Sequence, residues 1–366
     1  MNRRNEGIDL LRCVSMLMIV VLHVLNHGGI LAVCTPGSTL YNAAWLLEFT
    51  SGCAVNCYAL ISGYVGVTAR HRYRNIIALW LQVAFYAVLI ALLLPLFISG
   101  AEQRPLIAAF LPVIHRYYWY FTAYFALFFL MPLMNKGIGA MTASEAKKLL
   151  TGLFAVFSGM SVLPYINVLD AVRMEDVFLL GEGYSVIWLL MMYIAGGCIR
   201  RHGFGESVRA WKLWTGFGLS VLAGWCFKLL VEQDAPEKIR ALVEENALFY
   251  YFSPTMVIAA VCLLLIFSRA SKLPVLPGKI VRLLAPAAFS VYLIHEHPQV
   301  RAGLISGRFA RYAAGNPLGM IAKVLFAALA IFAVCCMIDQ LRLLLFRALR
   351  IRQALDWIAD RGHAED

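Results

Sequence analysis

Ten apolar stretches, separated by short polar connections, account for most of the chain. A helix that crosses a lipid bilayer needs about 20 mostly apolar residues. The pattern therefore predicts an all-α fold, a polytopic transmembrane helix bundle of about ten spans that forms a single domain over residues 1–366. The predicted spans are 8–26, 42–64, 76–98, 118–135, 149–168, 184–200, 212–231, 248–268, 281–298 and 320–346.

The composition supports a membrane location. Hydrophobic residues make up 61% of the 366 residues and charged residues 14%, with a mean hydropathy of +0.73. Soluble domains are roughly half apolar and a quarter charged, so lipid must surround much of this surface. The first stretch carries Asp9 and Arg12 and lacks a signal-peptide cleavage site. We therefore expect it to remain as the first membrane helix.

The distribution of positive charge predicts the orientation. The formal net charge is +11, and cytoplasmic loops of membrane proteins carry an excess of Lys and Arg. With the N-terminus inside, the inside segments hold 21 of the 32 Lys and Arg residues and the outside segments hold eight. Both termini are therefore predicted in the cytoplasm. No basic stretch is interleaved with aromatic residues on a soluble module, so we expect no nucleic-acid partner.

The nine cysteines do not predict a disulfide framework. Eight of them lie within or at the ends of apolar stretches, and only Cys34 falls in a predicted outside loop. Cys53 and Cys57 share one helix face, but small residues there favour close helix packing. We therefore expect no metal.

Two ionisable residues share one face of the first predicted helix. Arg12 and His23 are 11 residues apart, which returns to within about 20° of the same face and separates them by roughly 16 Å along the axis. In the predicted orientation Arg12 lies near the cytoplasm, with Asp9 placed to hold its guanidinium, and His23 lies near the outside. Intramembrane charges are functional candidates. An interfacial arginine and a helix-capping histidine are the alternative interpretation.

The predicted spans sort the polar candidates into two depths. The outer level holds His23, Glu48, His295, Trp119 and Tyr120. The inner level holds Arg12, Ser62, Arg70, Arg72 and Arg74. Agreement in depth does not establish contact. The aromatic residues could form only an interfacial belt, and the basic run could serve only as a topology signal.

Four segments along the chain form a familiar series. The first runs from Gly7 through Arg12 to His23. The others are Tyr58-Ala-Leu-Ile-Ser-Gly-Tyr64, Tyr118-Trp-Tyr-Phe121 followed by Tyr124 and Pro132, and Val291-Tyr-Leu-Ile-His-Glu-His-Pro298. In order and spacing they resemble segments of the membrane acyltransferase-3 family, whose members are integral membrane O-acyltransferases of bacterial surface glycans.

The resemblance implies one acyltransferase-like domain that takes an acyl group, usually acetyl, from cytoplasmic acyl-CoA. The acceptor would be a hydroxyl of a cell-surface polysaccharide or lipid-linked glycan, at the bacterial cytoplasmic membrane. Guanidinium groups bind phosphates through charge-assisted hydrogen bonds. The residues assigned to CoA are Arg12, Ser62, Arg70, Arg72 and Arg74. The Arg-x-Arg-x-Arg spacing differs from the Arg-x-x-Arg of some relatives, which leaves open which of these arginines binds CoA.

The remaining candidate residues are assigned to catalysis and to binding of the acceptor. The residues assigned to catalysis are His23, Glu48 and His295, and those assigned to the acceptor are Trp119, Tyr120 and Tyr292. An imidazole can take the proton of a sugar hydroxyl near neutral pH, or it can carry the acyl group transiently. Glu48 could orient the imidazole or receive the proton.

A transporter or flippase for a polar solute or glycolipid is the alternative function, because intramembrane charges also line transport pathways. The sequence shows no internal repeat of the kind that many transporters contain. A non-catalytic membrane scaffold is a third hypothesis. Membrane lipid and the glycan acceptor are the expected partners. A second copy of the chain and glycan-assembly proteins are further candidate partners.

Overall fold

A computed structural model describes residues 4–98, 106–166 and 176–361, with side chains up to residue 356. Within these ranges the chain forms helices joined by turns, and no β-strand occurs there. The predicted all-α fold class is confirmed. The α-helices are α1 (Glu6–Leu25), α2 (Ile30–Val33), α3 (Thr39–Ser51), α4 (Ala54–Gly66), α5 (Tyr73–Phe97), α6 (Leu106–Phe110), α7 (Trp119–Ala140), α8 (Ala143–Phe154), α9 (Val186–His202), α10 (Ala210–Leu229), α11 (Glu237–Arg240), α12 (Pro254–Ser268), α13 (Val275–Leu284), α14 (Ala288–His295), α15 (Pro298–Val300), α16 (Pro317–Ala348) and α17 (Ile351–Arg361).

Short π-helical and 3₁₀-helical segments extend or connect these helices. The π-helical segments are Ala155–Met160, Leu230–Asp234 and Arg301–Ile305. The 3₁₀ segments are Leu163–Tyr165, Gly181–Gly183 and Ala310–Ala313.

The helices agree with a multi-pass membrane protein. Among the described residues, seven helical stretches are long and apolar enough to cross a membrane, and α13 with α14 forms an eighth that is bent by 46°. The other two predicted spans correspond to α9 and α12, with 17 and 15 residues, or about 26 and 22 Å at 1.5 Å per residue. The prediction of about ten spans is roughly matched, and the orientation stays a prediction.

Proline explains two places where the helices differ from the predicted spans. The span predicted at 248–268 begins as a helix only at Pro254, with the Ser253 hydroxyl accepting a hydrogen bond from the Met256 amide at 3.4 Å. Proline lacks an amide hydrogen and suits this first position. Pro286 interrupts the span predicted at 281–298 and lies in the break between α13 and α14. One predicted span is thus shorter than expected, and one is bent.

The first helix lies inside the bundle. It packs against α3, α4, α12, α13, α14 and α16, and 13 of its 20 residues are buried. Asn5 begins the helix by accepting the Ile8 amide at 3.1 Å, and its side-chain amide donates to the Ser268 carbonyl at 2.7 Å. The end of α12 therefore anchors α1, which carries both Arg12 and His23.

Two glycines allow α4 and α9 to pack backbone against backbone. A Cβ atom at Gly63 would lie 1.9 Å from the Tyr193 carbonyl oxygen, and one at Gly196 would lie 2.0 Å from the Leu60 carbonyl oxygen. Small residues at such crossings are typical of membrane helices. This packing holds α4, which contributes Tyr58 to the site described below.

Candidate active site

A cavity of about 230 Å³ lies where α1, α4, α7 and α14 approach one another. It contains His23, Trp119 and Tyr120 of the predicted outer level, together with Tyr292, which the sequence assigned to the acceptor. The full lining is Met16, Ile19, Leu22, His23, His27, Val55, Tyr58, Trp119, Tyr120, Tyr184, Tyr251, Phe289, Tyr292, Glu296 and Arg301. Aromatic and aliphatic walls surround a small number of polar groups, as in many small-molecule sites.

A chain of hydrogen bonds determines the protonation pattern of His23. The Nδ1 atom of His295 lies 2.5 Å from the Val291 carbonyl oxygen, and a carbonyl can only accept, so this nitrogen carries the proton. The Nε2 atom of His295 is then an acceptor, and His23 Nδ1, 2.8 Å away, donates to it. In a neutral imidazole this leaves His23 Nε2 as the basic nitrogen.

Glu296 supplies the carboxylate beside His23. Its Oε2 atom lies 3.1 Å from His23 Nδ1 and 3.8 Å from His27 Nε2, and its Oε1 atom accepts from Arg301 at 2.5 Å. Glu296 follows α14 directly and caps its end. Glu296 is not among the residues that the sequence assigned to catalysis, although it is an ionisable residue within a predicted span, next to His295.

Glu48 does not occupy the position that the sequence assigned to it. It is buried on α3, and no described hydrogen bond or ion pair joins it to His23. The group that contacts His23 Nδ1 is Glu296 instead, which directly follows α14.

The aromatic residues build one wall of the cavity. The Trp119 ring lies 4.5 Å from the Tyr184 ring and stacks on Tyr251 at 6.3 Å with an interplanar angle of 17°. The Tyr292 ring, which also lines the cavity, lies 6.5 Å from that of His295. These flat apolar faces are suited to packing against the C–H face of a sugar ring.

The other end of α1 carries a separate polar group. Arg12 donates to Asp9 at 2.8 Å, as the three-residue spacing predicted, and Arg4 contacts the same carboxylate. The Tyr58 hydroxyl donates to the Arg12 carbonyl at 3.0 Å. Since Tyr58 also lines the cavity, it connects the level of Arg12 with the level of His23. Ser62 donates to the Tyr58 carbonyl at 2.9 Å.

A family model described as an acyltransferase domain, Acyl_transf_3, matches residues 5–339 of the chain. The chain belongs to this acyltransferase family. The membership confirms the resemblance seen in the four sequence motifs, and it implies membrane acyltransferase activity. No curated protein and no solved structure matches the chain. The end of α16 and all of α17 lie beyond the matched residues.

The three arginines that follow α4, Arg70, Arg72 and Arg74, lie in different surroundings. Arg70 and Arg72 are exposed before and at the start of α5, and no partner of either side chain is described. Arg74 forms an ion pair with Asp356 of α17. Between them, the His71 ring lies 4.1 Å from the Phe128 ring, and burial lowers the pKa of His71. Of the three arginines, Arg74 alone lines a described cavity.

The polar cluster of the acyltransferase also has the side chains that could bind a metal ion. The ligand atoms of His23, His295 and Glu296 all lie within 4.8 Å of one another, and imidazole and carboxylate ligands suit Zn²⁺. The hydrogen bonds above already give each of these side chains a partner. The absence of a metal therefore stays a prediction.

Proposed function

We propose that this acyltransferase moves an acetyl group from cytoplasmic acetyl-CoA to a hydroxyl of a cell-surface polysaccharide or lipid-linked glycan, at the bacterial cytoplasmic membrane. The observation that carries the proposal is the placement of His23 in an aromatic cavity, with His295 and Glu296 at its Nδ1 atom. Family membership supports the reaction class.

His23 acts as the general base in this account. Its Nε2 atom takes the proton of the acceptor hydroxyl while that oxygen attacks the thioester carbonyl. The imidazolium then returns the proton to the departing CoA sulfur as the C–S bond breaks. Glu296 stabilises the transient positive charge, and His295 holds the tautomer, as the orienting group does in a catalytic triad.

Acylation of His23 itself is the second mechanism that the same geometry supports. The unprotonated Nε2 atom could attack the thioester first and pass the acyl group to the hydroxyl afterwards. Incubation with labelled acetyl-CoA in the absence of acceptor separates the two mechanisms. Label retained on the wild-type protein and lost in His23→Ala supports the acyl-enzyme route, whereas no label supports the general-base route.

The two ends of α1 would receive the two substrates. The phosphates of the acyl donor would bind to Arg12, which also donates a hydrogen bond to Asp9, and to the exposed Arg70 and Arg72. Tyr58 lies between this level and the cavity, so the thin pantetheine arm would pass beside it. Trp119, Tyr120 and Tyr292 would pack on the acceptor sugar.

Acetyl-CoA consumption by purified full-length protein tests the proposal. With a mixture of envelope glycans as acceptor, wild type should release CoA, and His23→Ala should lower the rate by at least about 100-fold without lowering expression. His115→Ala is the matched control, because this histidine is exposed and outside the cavity. Undiminished turnover in His23→Ala, or no turnover in wild type, would contradict the proposal.

A further inference from the structure

A second polar cavity lies between α5, α16 and α17, away from His23. Its volume is about 540 Å³. Four arginines line it: Arg74 from α5, Arg342 and Arg347 from α16, and Arg352 from α17. Three of these positions, Arg342, Arg347 and Arg352, follow the last residue matched by the family. The cavity therefore includes a part of the chain that the family does not cover.

Two of the four guanidinium groups already have carboxylate partners. Arg342 is buried and binds both oxygens of Asp339, at 2.6 and 3.1 Å. Asp339 also accepts from Tyr86 at 2.7 Å and from Ser290 at 2.5 Å. Arg342 therefore belongs to a buried network that links α16 to Tyr86 and Ser290.

The remaining three arginines present charge to the cavity. Arg74 pairs with Asp356, whose side chain is 40% exposed. Arg347 and Arg352 are exposed, and within the described side chains neither has an ion-pair partner. Like charges that face one cavity repel each other unless an anion lies between them. One carboxylate among three guanidinium groups leaves this cavity short of negative charge.

The walls of the cavity suit a ligand that is only partly polar. Leu79, Leu343, Phe346, Ile351 and Leu355 line it together with the arginines. The cavity lies at the end of α16 and the start of α5, and only 33% and 28% of the most apolar stretches of these two helices are buried within the protein. Arginines beside a membrane helix end attract phosphate headgroups of anionic lipids. A forked guanidinium also matches the geometry of a phosphate.

We propose that this cavity binds a phosphate group, held by Arg74, Arg347 and Arg352, and that Asp356 releases Arg74 when the phosphate arrives. The phosphate is that of an anionic lipid headgroup or that of a soluble nucleotide. The apolar walls favour the lipid. The proposal concerns binding alone and does not depend on the proposed acyl transfer.

Lipid binding is the first arm of the test. Full-length protein in nanodiscs of phosphatidylcholine is titrated with phosphatidylglycerol, and retained lipid is counted by native mass spectrometry. Wild type should retain phosphatidylglycerol, and the double variant Arg347→Gln/Arg352→Gln should bind it about 30-fold more weakly. Asp356→Asn should bind it more tightly than wild type, because Arg74 is then free.

Nucleotide binding is the second arm. Equilibrium dialysis with adenosine 3′,5′-bisphosphate, in neutral detergent, measures the same variants without any chemistry. The matched control is Arg201→Gln/Arg209→Gln, which removes two exposed arginines that do not line the cavity. If the cavity variants lose binding only to phosphatidylglycerol, the ligand is a lipid phosphate. If they lose binding only to adenosine 3′,5′-bisphosphate, the ligand is a nucleotide phosphate. If the cavity variants equal the control in both arms, the proposal is overturned.

Discussion

His23 is surrounded by groups that favour one protonation pattern. His295 accepts from its Nδ1 atom, because the other nitrogen of His295 is committed to the Val291 carbonyl. Glu296 lies beside the same Nδ1 atom and is itself held by Arg301. A carboxylate in this position orients the base and stabilises the imidazolium that forms during proton transfer. In the proposed mechanism, the His23 base therefore depends on Glu296 more than on Glu48.

Replacing Glu296 should slow catalysis more than it weakens binding. Glu296→Gln keeps the size of the side chain but removes its charge, so kcat should fall by about 100-fold while the KM for the acyl donor changes little. Steady-state kinetics on the purified variant check this. Glu48→Gln should have a smaller effect. A larger loss in Glu48→Gln than in Glu296→Gln would favour the residue that the sequence suggested.

The same side chains also predict how the protein responds to chelators. Because His23 is hydrogen-bonded to His295 and Glu296 is hydrogen-bonded to Arg301, activity should survive prolonged dialysis against EDTA or 1,10-phenanthroline. The check is the acetyl-CoA turnover rate before and after dialysis, with metal analysis of the protein. Loss of activity that Zn²⁺ restores would assign these residues to a metal instead.

At the scale of the element, hydropathy predicted the helices well, and proline altered their ends. The common face of Arg12 and His23 followed from helical periodicity, and so did the contact of Asp9 with Arg12. Depth within the membrane correctly put His23 and His295 at one level. Hydropathy carries no information about which helices are neighbours, however. It could not choose between Glu48 and Glu296, which share that level but lie on different helices.

The crossing of α4 and α9 should not tolerate a side chain at Gly63. Gly63→Ala would place Cβ 1.9 Å from a backbone oxygen of α9, so the two helices must separate. Overpacking of this kind costs about 1–3 kcal/mol. The variant should unfold at a lower temperature in detergent and lose activity, because Tyr58 moves with α4.

Gly218→Ala in α10 provides the control for this substitution. No heavy atom lies within 4 Å of a Cβ built at Gly218, and alanine is favoured over glycine inside a helix by roughly 0.5–1 kcal/mol. Thermal unfolding followed by a thiol-independent probe compares the two variants. Equal stability of Gly63→Ala and Gly218→Ala would refute the close packing of α4 on α9.

At the scale of the whole molecule, α1 connects two chemical levels. Arg12 and Asp9 lie at one end, and the His23 cavity lies at the other, with Tyr58 between them. Under the proposed function and in the predicted orientation, the acyl donor would meet the cytoplasmic end and the glycan would meet the outer end. The contact of Arg74 with Asp356 illustrates what sequence reasoning misses, since an ion pair between residues so far apart leaves no local pattern.

The central claim is that His23 serves one acyl transfer between substrates that approach from opposite sides of the membrane. Sealed vesicles of known orientation, supplied with labelled acetyl-CoA only on the cytoplasmic face, test it most directly. The account predicts that label appears in glycan on the other face with wild type, and that His23→Ala abolishes this transfer. Undiminished transfer by His23→Ala, or transfer only when acetyl-CoA is supplied on the outer face, would contradict it.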